Sequence, residues 1–266
     1  MALKPWPAWV IVANWPAPST VHAVTTCRTG PGLSAAPFDR LNLGLSAGGE
    51  DAETVEANRA LLRAQLDLPS TPCWLKQVHG TEVLHVTDAV RSGIPVADAA
   101  VTSDRGRVLA VVTADCLPIV LASRQQTHIA IVHAGWRGLA AAVVERTIEQ
   151  IACPVQDLLA WLGPAAGPAA YEVGEEVYAA FVDAHPADVS AFKATRQGHW
   201  HVDLYALAQA RLCQAGLDRA AIYSDRCCTI SDSTRFFSHR RDGRTGRMAT
   251  LVWMDARAHD LAIEHC

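Results

Sequence analysis

The apolar positions of this chain fall into short runs and helical stripes, broken by glycine and proline. Residues 21–26 read as a strand, followed by a Gly/Pro-rich loop through Pro37. Residues 51–66 place Val55, Leu61, Leu62 and Leu66 at helical spacing and read as a helix. Residues 83–86 are strand-like. Residues 108–113 and 129–132 are Val- and Ile-rich runs of the kind found in buried strands. Helices are expected over 139–151, just after Gly138, over 173–184, and over 204–215, the last ended by Gly216. Residues 220–223 and 249–253 are late strands, and residues 1–20, rich in Pro and Trp, read as an extended arm. No fixed-period repeat and no linker divides the chain, so one α/β (α+β) domain over 1–266 is the economical reading.

Composition narrows the class. Half of the 266 residues are hydrophobic and 19% are charged, enough apolar material for a sizeable core. The net charge is −4 and no stretch concentrates Lys and Arg, so no nucleic-acid partner is expected. The first residues lack a basic segment ahead of a long apolar one, and no run approaches the roughly 20 apolar residues of a membrane span. The expectation is a cytoplasmic protein with no membrane partner. There, the eight cysteines would be buried, reactive or metal-bound rather than disulfide-paired.

Three segments carry candidate chemistry: Lys76-Gln77-Val78-His79-Gly80, Thr113-Ala114-Asp115-Cys116-Leu117-Pro118 and His133-Ala134-Gly135-Trp136-Arg137-Gly138. Each pairs an imidazole or thiol with small residues that leave room around it. Cys and His are the donors zinc prefers, and three protein ligands leave a fourth position for water or substrate, as in catalytic sites. Spacing alone does not separate this reading from two structural histidines and a buried cysteine, because no tight pattern such as His-Glu-x-x-His is present.

These strings resemble one family, the multicopper polyphenol oxidase (laccase-like) or purine nucleoside phosphorylase family, which includes the bacterial peptidoglycan editing factor. The likeness continues in Leu41-Asn42-Leu43-Gly44, Glu56-Ala57-Asn58-Arg59, Leu162-Gly163-Pro164-Ala165-Ala166-Gly167-Pro168 and Tyr171-Glu172-Val173-Gly174. It ends in Phe236-Phe237-Ser238-His239-Arg240-Arg241-Asp242-Gly243 and Thr245-Gly246-Arg247. The resemblance implies a layered αββα fold like the catalytic domain of cytotoxic necrotizing factor, and Zn2+ held by His79, Cys116 and His133. Departures are Pro31 in place of a glycine, Gly49-Glu50 in place of Gly-Asp, and His239 where the family usually has Tyr.

The activities implied are phosphorolysis of adenosine, inosine, guanosine and methylthioadenosine, and deamination of adenosine, so the expected partners are a purine nucleoside and phosphate. Asp115 is a candidate acid/base, with an orienting hydrogen bond as its alternative role. Arg137 is the other catalytic candidate. Arg28, Arg137, Arg240 and Arg247 are candidate anion holders, because a guanidinium presents a planar fork to phosphate; the alternative is ordinary ion pairing. Asn42 could bond the sugar or base, or brace a turn. Gln77 is a further substrate-binding candidate by its place in the family string. An amidase acting on a muramoyl-amino-acid nucleotide and a copper-dependent phenol oxidase are the competing functions, and a zinc that only staples the fold is the non-enzymatic one. Further copper ligands would be needed for the oxidase, and His199-Trp200-His201, expected in a polar loop, is the sole His-x-His pair.

Three weaker patterns are set aside. Gly44-Leu45-Ser46-Ala47-Gly48 spells a nucleophile elbow, but Gly49 and Glu50 separate it from the expected helix. Pro31 and Pro37 forbid the helix that a dinucleotide fingerprint at residues 30–35 requires. Cys227-Cys228 are adjacent and do not chelate one zinc comfortably.

Overall fold

The computed structural model describes residues 5–45, 49–87 and 93–256. Ser46 of the elbow pattern lies outside the described residues. One antiparallel sheet has the order β1 (Val10–Val12), β2 (Val21–Thr26), β13 (Met248–Met254), β5 (Val108–Thr113). A six-stranded mixed sheet has the order β12 (Ile222–Ser224), β8 (Leu158–Leu162), β6 (Leu117–Ser123), β7 (Ile129–Ala134), β4 (Ala99–Thr102), β3 (Val83–His85). A small sheet joins β10 (Phe192–Arg196), β11 (His199–Val202) and β9 (Glu172–Gly174).

Side-chain alternation stacks these elements into layers. Along β5, Val108 and Ala110 pack with Leu62 and Leu66, on and just beyond α1 (Ala52–Gln65). Leu109 and Val111 point the other way, onto Val120, Ile131 and Trp161 of the six-stranded sheet. Across that sheet Leu117, Ile119 and Leu121 meet Leu139 of α2 (Trp136–Ala140), Val143 of α3 (Val143–Glu149) and Leu207 of α5 (Leu204–Gln214). The result is helix, sheet, sheet, helix, the expected αββα order. Two remaining helices, α4 (Glu175–Val182) and α6 (His239–Asp242), lie after β9 and before β13.

Local chemistry explains the helix starts. Asp51 caps α1 by accepting from the Thr54 amide at 2.8 Å, and Asp203 caps α5 by accepting from the Ala206 amide at 3.0 Å. Gly216, at φ 101°, follows α5 where a side chain would strain the turn.

Several expectations are corrected. The helix expected over 139–151 is two helices, broken at Ala142 (φ 69°), because both pieces bury the same apolar stripe and periodicity cannot see the break. The helix expected from residue 173 begins as β9, where pairing of Val173 with Trp200 overrides helical propensity. The strand expected over 220–223 is shifted to Ile222–Ser224, behind a short 3-10 turn. His199 and His201 lie in β11, not in a loop. The N-terminal arm carries β1, paired with β2 from Val10 to Val12. Strands β4, β6 and β8 escaped the pattern reading, being uniformly buried runs without alternation.

Candidate metal centre

His79, Cys116 and His133 converge, with their donor atoms all within 4.8 Å of one another. Strand register does much of the work. Leu117 of β6 faces Ala134 of β7, so one step further Cys116 lies beside Gly135. A Cβ on Gly135 would sit 2.9 Å from His79 Cδ2 and 3.0 Å from Cys116 Sγ, so only glycine leaves these donors room to meet. His79 and Asp115 both adopt positive φ, 61° and 94°, conformations a non-glycine residue holds only where its surroundings enforce them. His133 lies within β7, one residue before its end, rather than after the strand.

Asp98 is the residue that sequence reasoning missed. It is fully buried, and its carboxylate accepts from the amides of Val78, His79 and Gly80 at 3.1, 2.9 and 2.7 Å. It also accepts from His133 Nδ1 at 2.8 Å. Since Nδ1 donates to that carboxylate, Nε2 keeps the lone pair a metal needs. The signal available in the sequence was an acidic residue opening an apolar strand, Asp98 before Ala99, where burial demands partners.

Cys116 Sγ and His79 Nε2 are 3.8 Å apart. Zn–S and Zn–N bonds of about 2.3 and 2.0 Å at tetrahedral angles put such donors roughly 3.5 Å apart, so the separation suits a shared ion. Burial disfavours the Cys116 thiolate, but the neighbouring charges of His133 and then His79 outweigh it and bring its pKa down to about 6. Burial likewise opposes a charge on His133, while Cys116 and then Asp98 lift it to about 9. A thiolate, two imidazoles and a carboxylate behind one of them form a donor set suited to a divalent transition metal. Among the described residues this is the one group of its kind, and neither the Cys227–Cys228 pair nor the β11 histidines join it.

A cleft of about 210 Å3 opens beside the donors, and its lining includes Asp115, Trp136, Arg137, Tyr171, His239 and Arg240 together with His79 and Cys116. The Arg137 guanidinium stacks on Trp136, 4.3 Å from the ring centroid, and Arg240 stacks on Tyr171 at 4.8 Å. Arg240 also donates to the Glu172 carbonyl at 2.6 Å, whereas Arg137 forms an exposed pairing with Glu176 at 3.5 Å. Burial pushes the Tyr171 phenol up.

The other sequence-predicted site residues are engaged elsewhere. Asp115 reaches the cleft, but its carboxylate accepts from the Thr229 and Ser238 hydroxyls and from the Arg240 amide, at 2.6, 3.0 and 2.6 Å. Gln77 clasps Val112 through both its amide nitrogen and oxygen at 2.8 Å. Asn42 is buried, donating to Glu50 at 2.7 Å and accepting from the Gly44 and Arg247 amides. Arg28 pairs with Asp39 and stacks on Phe237. Arg247 folds back on the carbonyls of Thr245 and Gly246. Gln77, Asn42, Arg28 and Arg247 do not line the cleft.

Fold and centre together define an αββα protein with a His2Cys metal-competent site at the mouth of a small cleft. The chain belongs to the family described as multi-copper polyphenol oxidoreductase laccase, whose profile matches residues 22–255. A purine nucleoside phosphorylase of Xylella fastidiosa is 57% identical over 256 residues, covering 94% of this chain and 98% of that protein. Purine nucleoside phosphorylase YfiH of Escherichia coli is 44% identical, covering 92% and 98%. Among solved structures, protein NMB0706 of Neisseria meningitidis superposes with a TM-score of 0.88 at 40% identity, covering 93% of this chain and all of that one. YlmD from Geobacillus stearothermophilus gives 0.81 at 30% identity, covering 90% and 93%. No helix among the described residues is long and apolar enough to cross a membrane.

Proposed function

We propose that the protein is a zinc-dependent purine nucleoside phosphorylase acting on adenosine, inosine, guanosine and methylthioadenosine, with adenosine deamination at the same site. The observation that carries this reading is the meeting of His79, Cys116 and His133 beside a cleft that also receives Arg137 and Arg240. The names of its relatives support the substrate class. Zinc held by these three donors supplies a Lewis acid at neutral pH. The chain's own groups do the rest. Arg137 exchanges its exposed Glu176 partner for a phosphate at little cost, because a surface pair contributes only about 0–1 kcal/mol. Arg240, held flat on Tyr171, presents a second guanidinium of fixed orientation. Asp115, with both oxygens accepting hydrogen bonds from Thr229, Ser238 and Arg240, positions the Cys116 turn and the start of α6 rather than shuttling protons.

Product analysis of purified protein given adenosine or inosine, with and without phosphate and before and after chelation, tests the proposal. Free base and ribose 1-phosphate should appear only with phosphate, and adenosine should also yield inosine. Metal analysis should find zinc, absent from Cys116→Ala. Turnover of a muramoyl-amino-acid nucleotide alone, or copper at full occupancy, would replace this reading with the amidase or the oxidase.

A further inference from the structure

We propose that His239 is the proton-transfer residue of the cleft, relaying a proton through Nε2 from the attacking phosphate to the departing purine. The proposal deepens the phosphorolysis reading above and rests on it.

Elimination among the cleft-lining groups leads to His239. His79 and Cys116 are metal donors. Asp115 has both carboxylate oxygens occupied by three donors. Tyr171 is pushed up by burial and holds its proton at neutral pH. Arg137 and Arg240 are guanidinium donors with no lone pair to accept a proton. Imidazole is the side chain that gains and loses a proton near neutrality.

The hydrogen bonding around His239 sets its tautomer. Its Nδ1 lies 2.7 Å from the carbonyl oxygen of Gly243. A carbonyl only accepts, so Nδ1 carries the hydrogen and the neutral ring keeps its lone pair on Nε2. Gly243 also returns its amide to the His239 carbonyl at 2.8 Å, and its φ of 66° closes the turn. Ser238 caps this short helix, accepting from the Arg241 amide at 3.2 Å while its hydroxyl donates to Asp115. Backbone therefore anchors the ring on its Nδ1 side. Charged and titratable neighbours are Arg240, Arg241 and Asp242 on α6 itself, Asp115 and Cys116 on the β5–β6 turn, Tyr171 just ahead of β9 and Glu172 at its start, Arg137 on α2, and His79.

The step balances. An oxygen of HPO4²⁻ bonds to ribose C1′ as the C1′–N9 bond breaks, and the bonding pair leaves with the purine. The phosphate proton moves to His239 Nε2 and from there to the purine nitrogen, so the imidazole ends neutral. Because the relay needs the neutral ring, the imidazole contributes an ionisation to the kcat/KM profile that a side chain unable to take up the proton would remove.

The holoenzyme is assayed with inosine and phosphate at fixed HPO4²⁻ concentration from pH 5 to 9. Absence of phosphate-dependent base release by the wild type would defeat the phosphorolysis reading itself, whatever His239 does. With that activity present, His239→Gln should retain its metal content, lose about 100-fold or more in kcat/KM at pH 7, and lose the acid limb of the profile. An unchanged rate, or a lower rate with the acid limb intact, would overturn the proposal. Nitrogen NMR of the wild type needs no turnover: the neutral ring should carry its hydrogen on Nδ1, and a hydrogen on Nε2 would refute the assignment.

Discussion

His133 and Asp98 are bonded to each other twice, once through main chain and once through side chains. The His133 amide donates to the Asp98 carbonyl at 2.7 Å, and its Nδ1 donates to the Asp98 carboxylate at 2.8 Å. The same carboxylate gathers the three amides of the His79 loop. One buried acid thus sets the place of two of the three residues that could hold a metal, 54 positions apart in the chain (79 to 133).

Asp98→Asn keeps the shape but turns one carboxylate oxygen into an NH2 donor, so either the Val78 and Gly80 bonds or the His79 and His133 bonds are lost, and the charge behind His133 goes with them. Metal affinity should fall about 10–100-fold, as for other carboxylates behind a ligating histidine. Competition with a chromophoric chelator measures this directly; an affinity equal to wild type would show that Asp98 serves the fold alone.

Gly135→Ala tests the packing of the donors. Its Cβ would enter between His79 and Cys116 at 2.9 and 3.0 Å. The variant should bind metal poorly, while its chelated form melts close to chelated wild type. Gly174→Ala, where an added Cβ meets nothing within 4 Å, is the matched control and should bind normally. Equal metal content in the two variants would contradict the close approach.

In the metal-free protein, the depressed pKa of Cys116 has a chemical readout. The thiolate is the nucleophile, so alkylation by iodoacetamide should rise with pH through about 6 and already be fast at pH 7. Cys27, pushed up to about 11 mainly by burial, should stay inert there. For stability the signs differ. The lowered Cys116 pKa favours the fold at high pH and loses that contribution as pH falls through about 6. The raised His133 pKa favours the fold at low pH and loses it as pH rises through about 9. Metal should protect Cys116, and alkylation that begins only above pH 8 would rule out the thiolate.

Away from the cleft, Arg211 forms a buried ion pair with Asp188, and its guanidinium lies 5.9 Å from the Phe181 ring. Arg211→Leu strands the Asp188 carboxylate in the interior and should destabilise the protein by about 3–5 kcal/mol in urea denaturation. Adding Asp188→Leu should restore much of the loss. A single variant within ~1 kcal/mol of wild type would mean that water reaches Asp188.

The sequence by itself carried much of the secondary structure and the residue types from which a metal centre could be built. The helix at 51–66 and the strand at 108–113 were legible because amphipathic spacing is a local property, whereas His79, Cys116 and His133 were singled out as a set by the family resemblance, their spacing leaving a structural reading open. Convergence was not local. It depends on β6 and β7 pairing so that Cys116 meets Gly135, and on Asp98 reaching across to residues 78–80 and to His133. Uniformly apolar runs such as β6 and β8 have no period to read, so their order in the sheet was decided only when both faces were buried. The same holds for the roles of the polar candidates. Asn42, Gln77 and Asp115 are polar residues in family strings, and nothing in a string says whether an amide or carboxylate faces a ligand or is spent on backbone. What the tertiary structure adds is the partners each of them has, since a buried polar group must be satisfied where it lies.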